Sequence, residues 1–167
     1  MLNYIKNKQV RNIHYVSFDF VRQRYLNKLT SKNRLVGLVG QRGVGKTTLL
    51  LQYLKQYYDP HQYLYFSADD VYIINSSIYD IAQEFVRFGG KVLVCDEIHK
   101  YKGWAAEIKT IYDSFPDLII RFSGSSMLGI LDQKHDLSRR CVISHVEPLS
   151  FREFLQLDSN THVSKLS

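Results

Sequence analysis

The sequence is poor in the residues that mark special environments. Of its 167 residues, two are cysteine, three proline and one tryptophan. Cys95 and Cys141 sit in separate apolar runs without metal-ligand spacing, so they read as reduced, buried thiols and exclude a disulfide scaffold. No apolar run approaches the roughly 18 residues that a membrane span needs. The N-terminus, Met1-Leu2-Asn3-Tyr4-Ile5-Lys6, lacks the apolar core of a signal peptide, and a cytoplasmic location is expected. There is no internal repeat and no low-complexity tract. The prolines Pro60, Pro116 and Pro148 punctuate segments instead of interrupting them.

Acid is also scarce at one end. Residues 1–34 hold eight Lys and Arg against the single acid Asp19, a balance of +7, while the remaining fourteen bases and fifteen acids balance at −1. The net charge of +6 therefore belongs to the N-terminal segment. A basic arm is a candidate for nucleic acid, for the solvated face of a helix, or for helping to hold a triphosphate; no aromatic-basic repeat or reader motif selects the first. With 45% hydrophobic and 23% charged residues, the chain has the make-up of one soluble domain able to bury a core.

The central feature is Gly40-Gln41-Arg42-Gly43-Val44-Gly45-Lys46-Thr47-Thr48. It follows the apolar run Leu35-Val36-Gly37-Leu38-Val39 and opens a helical pattern through Tyr58 with Leu50, Leu51 and Leu54 on one face. Strand, G-x-x-x-x-G-K-[ST], helix is the phosphate-binding P-loop in its required setting. Glycines let consecutive N–H groups turn inward, and the helix N-terminus adds partial positive charge. Lys46 is expected on the β- and γ-phosphates and Thr47 on Mg²⁺.

Further elements alternate. Residues 16–31 predict a first helix with Phe18, Val21, Tyr25 and Leu29 as its apolar stripe; Arg22, Arg24 and Tyr25 are candidates to lie beside a nucleotide base. Tyr63 to Ala68 reads as a second strand, and Ile78, Ile81, Ala82, Phe85 and Val86 as a helix stopped by Gly89-Gly90. Val92-Leu93-Val94-Cys95 followed by Asp96-Glu97 is four apolar residues and an acidic pair, the Walker B pattern. Asp96 would bind Mg²⁺ directly or through water, and Glu97 would polarise the attacking water. A strand-end acidic pair is otherwise a common helix cap or solvated turn.

His99 is left in a loop outside the catalytic set, and Trp104 reads as a packing anchor before a helix carrying Ile108, Ile111, Tyr112 and Phe115. Leu118 to Phe122 is another strand. It ends at Ser123, the first choice for a group sensing the γ-phosphate, with Ser125 second; turn chemistry alone would also favour serine here. Residues 127–140 read as a short helix and an exposed polar loop. Arg139-Arg140 precede the strand Cys141 to Ser144, and an arginine there, in cis or from a neighbouring subunit, is a candidate for stabilising phosphoryl transfer. Ser150 and Glu153 make a capping box for a final helix to Leu155, and the polar tail from Asp158 is expected to fray.

Taken together, the P-loop, Asp96-Glu97-Ile98-His99-Lys100, Phe122-Ser123-Gly124-Ser125-Ser126 and Pro148-Leu149-Ser150-Phe151-Arg152-Glu153-Phe154-Leu155 resemble the prokaryotic AAA-superfamily ATPases. The resemblance covers about residues 20 to 157. It is closest to the branch whose ATPase core precedes a nuclease-like domain of uncertain function. It implies ATP and Mg²⁺ as cofactors, catalytic roles for Glu97, Lys46, Ser123 and Arg140, and self-association with an arginine in trans. In that family Gly-Arg usually stands where Arg139-Arg140 stand here, which makes Arg140 the matching arginine. The family also continues well past the Pro-Leu-Ser-Phe element, so a truncated piece or a naturally short member is expected.

The expected fold is a three-layer α/β/α P-loop core with a mostly parallel sheet of about five strands. The domain plan is a basic segment over 1–34, the ATPase core over 35–157, and a polar tail over 158–167 that begins a linker. The leading function is Mg²⁺-dependent ATP hydrolysis coupled to a partner or further domain. The rivals are an ATP-binding switch with little turnover alone, and a small-molecule kinase on the same scaffold. The lack of an Asn-Lys-x-Asp motif after the P-loop argues against a GTPase.

Overall fold

The computed structural model describes residues 1–124, 137 and 139–166. Five strands, β1 (Leu35–Val39), β2 (Tyr63–Ser67), β3 (Val92–Asp96), β4 (Ile119–Gly124) and β5 (Cys141–His145), form one sheet in the order β2-β3-β4-β1-β5. Every pairing is parallel. The apolar content of β1 to β4 follows from this, because parallel strands covered on both faces bury every position.

Alternate residues along each strand feed two cores. On one face Leu35, Leu64, Phe66, Leu93, Cys95 and Phe122 pack with α1 (Leu2–His14), α5 (Ile78–Arg87) and α6 (Trp104–Ser114). On the other, Val36, Leu38, Tyr63, Tyr65, Val92 and Val94 pack with α2 (Gln23–Leu29) and α3 (Lys46–Tyr57). Trp104, 2% exposed and 5.4 Å from the Phe122 ring, is the packing anchor expected of it. A short α4 (Val71–Ile74) and a 3₁₀ turn (Ile98–Lys100) complete this part, and α7 (Phe151–Leu166) follows β5.

Two expectations fail near the N-terminus. The first helix is α1, and the predicted helix over 16–31 forms only from Gln23 to Leu29. Residues 16–22 are diverted by tertiary partners. Gln52 Nε2 on α3 donates to the carbonyls of Ser17 (2.8 Å) and Phe20 (3.0 Å), and Lys55 Nζ donates to that of Val16 (3.0 Å). Ser17 Oγ also accepts from the Asp19 amide at 2.9 Å. These groups satisfy the backbone outside a helix, and Phe18 is exposed instead of packed. Leu2, Ile5 and Gln9 are buried on α1; with Ile13 they keep helical spacing, a signal blurred by glutamine at a core position.

Gln9 has a specific task there. Its Oε1 accepts from the Tyr65 amide of β2 at 2.8 Å, so α1 caps the outer edge of the sheet. Its Lys8 and Tyr4 both donate to Asp70 Oδ2, which ties part of the basic segment to the loop after β2.

At the other end, the predicted capping box is present: the Ser150 amide donates to Glu153 Oε2 at 2.8 Å, and the Glu153 amide to Ser150 Oγ at 3.3 Å. The helix does not fray at Asp158 but runs on to Leu166. Ser159 Oγ bonds back to the Leu155 carbonyl at 2.6 Å, within the helix. Arg121 on β4 is 1% exposed and donates to the carbonyls of Leu29, Arg34 and Ile120. Burial pushes its pKa down. One of those carbonyls closes α2, where the helix dipole favours a cation.

Candidate active site

The site forms at the C-terminal ends of β1, β3 and β4, where parallel strands hand over to loops. β4 lies between β1 and β3, so Walker A and Walker B are separated by one strand, as expected. Register then sets the side chains: Ser123 lies beside Leu38, and Phe122 beside Cys95, which brings Ser123 next to Asp96.

The loop after β1 has the backbone that phosphates require. Gly45 caps α3 with φ 92°, in the left-handed region that glycine favours. Gly40 is required for space, since a Cβ there would collide with the Val146 carbonyl of the segment after β5. The first amides of α3, with no carbonyl of their own helix to bond, face this loop. Lys46 is 4% exposed, and its Nζ donates to the carbonyls of Gly40 (3.0 Å) and Gln41 (2.7 Å). Burial lowers its pKa, opposed by the nearby Glu97 and Asp96 carboxylates. Gln41, Arg42, Gly43, Thr47 and Thr48 are exposed, and Val44 is half-buried.

Asp96, 3% exposed, gathers the remaining groups. Its Oδ2 accepts from the Thr47 hydroxyl at 2.7 Å and the Tyr65 hydroxyl at 2.8 Å. Its Oδ1 accepts from the Ser123 hydroxyl and, at 3.2 Å, from the Glu97 amide. The Glu97 amide also donates to Ser123 Oγ at 3.0 Å. Thr47 and Asp96, the two residues expected at Mg²⁺, are thus brought into contact. Among the described residues no cluster of three His, Cys, Asp or Glu could hold a metal.

Glu97 occupies φ 51°, a left-handed conformation costing a non-glycine residue about 1 kcal/mol. The bonds to Ser123 and Asp96 hold the turn in place. His99 Nε2 stands 3.5 Å from Glu97 Oε2. Burial lowers the His99 pKa, partly offset by Glu97. The turn thus places His99 beside Glu97, two residues along the chain.

Ser123 sits beside Asp96 and Glu97, but it is 0% exposed and its hydroxyl is engaged by both. Ser125 and most of the predicted 127–140 helix and loop lie outside the described residues. Arg140 is elsewhere. It stands before Cys141, which pairs with Leu35 at the start of β1, whereas the P-loop leaves after Val39. Four strand residues separate these ends by about 13 Å. There Arg140 makes a fork with Asp113 of α6, at 2.9 and 3.1 Å, so a role in cis at its own phosphates is not available to it in this arrangement. Arg139 holds φ 75°, the turn a glycine would make.

Beside the P-loop is a cavity of about 470 Å³, walled by Phe20, Arg22, Gly43, Thr48, Leu149 and Leu157, among others. Arg22 reaches its wall; Arg24 and Tyr25 do not line it. Arg22, 6% exposed, donates to the Val44 carbonyl (3.1 Å), the Glu147 carbonyl (2.8 Å) and both Glu153 carboxylate oxygens (3.0 and 3.2 Å). One guanidinium therefore joins the 15–22 loop, the P-loop and α7. It holds the Glu153 pKa down to about 2.

A family model described as AAA domain matches residues 32–155. The chain belongs to this family. An uncharacterized protein of Methanocaldococcus jannaschii, MJ1637, is 31% identical over 170 residues, covering 96% of this chain and 35% of that protein. This AAA domain chain thus spans about a third of its relative's length. Among solved structures it resembles the S. cerevisiae Hsp104–ADP complex, with TM-score 0.63 and 18% identity over 84% of this chain and 24% of that one. A closed-state reconstruction of Hsp104 with ATPγS and FITC-casein gives the same score and identity over 96% and 32%. C. elegans PCH-2 follows with TM-score 0.53 and 13% identity, over 99% and 47%. These likenesses establish the AAA-like fold. No helix among the described residues is long and apolar enough to cross a membrane.

Proposed function

We propose that this AAA domain binds ATP with Mg²⁺ and hydrolyses it, coupling its nucleotide state to a partner or to further chain. The observation that carries the reading is the contact between Thr47 and Asp96, 2.7 Å apart, with Lys46 and Glu97 on either side. Lys46 and the loop amides would hold the phosphates. Thr47 would take the metal, with Asp96 behind it, and the cation would neutralise charge that develops on the phosphates. Glu97, half-buried on its turn, would orient and deprotonate the attacking water. The cavity beside Gly43 and Thr48 has room for a base and ribose.

Arg140 acts in this reading on a second copy, since it stands at the far end of its own sheet. That geometry also favours the second reading, a nucleotide switch with little turnover as a single chain. The basic segment remains a candidate surface for nucleic acid, and cytoplasmic location remains the expectation. ATP turnover with Mg²⁺, repeated with EDTA and with Lys46→Ala, tests the proposal. Turnover should vanish in both, and Lys46→Ala should also weaken ATP binding. Turnover that survives Lys46→Ala would refute it.

A further inference from the structure

Resting on that reading, we propose that Tyr65 is a positioning residue of the metal site. From the edge strand it fixes the Asp96 carboxylate so that the Thr47 hydroxyl turns its lone pairs toward a divalent cation. Register makes this reach available. Ser67 of β2 lies beside Asp96 of β3, and Tyr65 is two residues earlier on the same face.

An ionised carboxylate accepts at about four lone-pair positions. On Asp96 four donors are in place: Thr47 and Tyr65 on Oδ2, Ser123 and the Glu97 amide on Oδ1. A hydroxyl has one proton to give. With that proton committed to Oδ2, the oxygen of Thr47 presents lone pairs away from Asp96, as a hard cation requires. Asp96 then serves the cation through Thr47, because ligating it directly would displace a donor.

Three of the four donors come from the P-loop, the acidic pair and the strand between them. Tyr65 comes from outside these elements, is 4% exposed, and is itself held by Gln9 of α1 through its backbone amide. A buried tyrosine needs a partner for its hydroxyl, and the partner of Tyr65 is this carboxylate oxygen. Tyr63 illustrates the contrast: it is equally buried on the same face, and its hydroxyl is not among the donors to Asp96.

The test is equilibrium binding of a fluorescent ATP analogue to the wild type, Tyr65→Phe and Tyr63→Phe, each with Mg²⁺ and with EDTA. The wild type should bind more tightly with Mg²⁺. Losing one bond to a charged group should cost Tyr65→Phe about tenfold of that gain while its affinity in EDTA stays within about twofold of wild type. Tyr63→Phe should keep the full gain. The inference is overturned if Tyr65→Phe keeps the gain, or loses affinity equally with and without the metal. A wild type that binds without any magnesium gain would instead refute the Mg–ATP reading beneath it.

Discussion

Asp96 shows how much chemistry one buried carboxylate can organise. Its four donors come from α3, β2, β4 and the turn after β3, so removing one disturbs the others. Ser123→Ala removes a donor to Asp96 and the acceptor of the Glu97 amide together. Turnover should fall at least tenfold, a loss of about 1.4 kcal/mol or more of transition-state stabilisation, and the melting point should fall as two buried bonds are lost; steady-state rates at a temperature well below the melting curve check this. Arg121 is the opposite kind of residue, a buried charge without a part in the chemistry. Arg121→Met takes a donor from three carbonyls, of which that of Arg34 keeps the Ile120 amide at 2.7 Å, and should destabilise the fold by about 1–3 kcal/mol, read by urea unfolding. Sequence spacing singled out Lys46, Thr47, Asp96 and Glu97 as candidates because their motif is local. It could not reveal Tyr65, nor the bonds by which Arg22, singled out only as a candidate beside the base, is held, because these partners lie 31 and up to 131 residues away.

At the scale of elements, periodicity identified α3, α5, α6 and strands β1 to β4, where apolar residues repeat without interruption. It failed over residues 16–22, where Gln52 and Lys55 of α3 bind the carbonyls that a helix would have used. The capping box before α7 was legible in Ser150 and Glu153, but not its second use as the seat of Arg22. That use gives a pH signature. Arg22 beside it holds the Glu153 pKa near 2, against an ordinary 4.5, so the unfolded chain takes up this proton first. The stabilisation is therefore complete above about pH 4.5 and is lost as pH falls toward 2. Melting curves of wild type and Glu153→Gln should differ at pH 6 and converge near pH 2; a gap independent of pH would place the stabilisation elsewhere.

Across the whole molecule, the parallel sheet sets the two ends apart: phosphate loop and acids at one, Arg140 at the other. A head-to-tail neighbour would bring Arg140 toward the first end of the next copy. Activity per chain should then rise with protein concentration, and Arg140→Ala should abolish that rise without weakening ATP binding by one chain. The exposed fork between Arg140 and Asp113, with side chains 33% and 48% exposed, does not compete strongly, since surface pairs contribute about 0–1 kcal/mol. The central claim is that this site hydrolyses ATP through Glu97. It is tested most directly by measuring ATP affinity and turnover of Glu97→Gln beside the wild type with Mg²⁺. The substitution should leave affinity within about threefold and lower turnover by about 10² or more, the contribution of a positioned base; wild-type turnover in Glu97→Gln would contradict it.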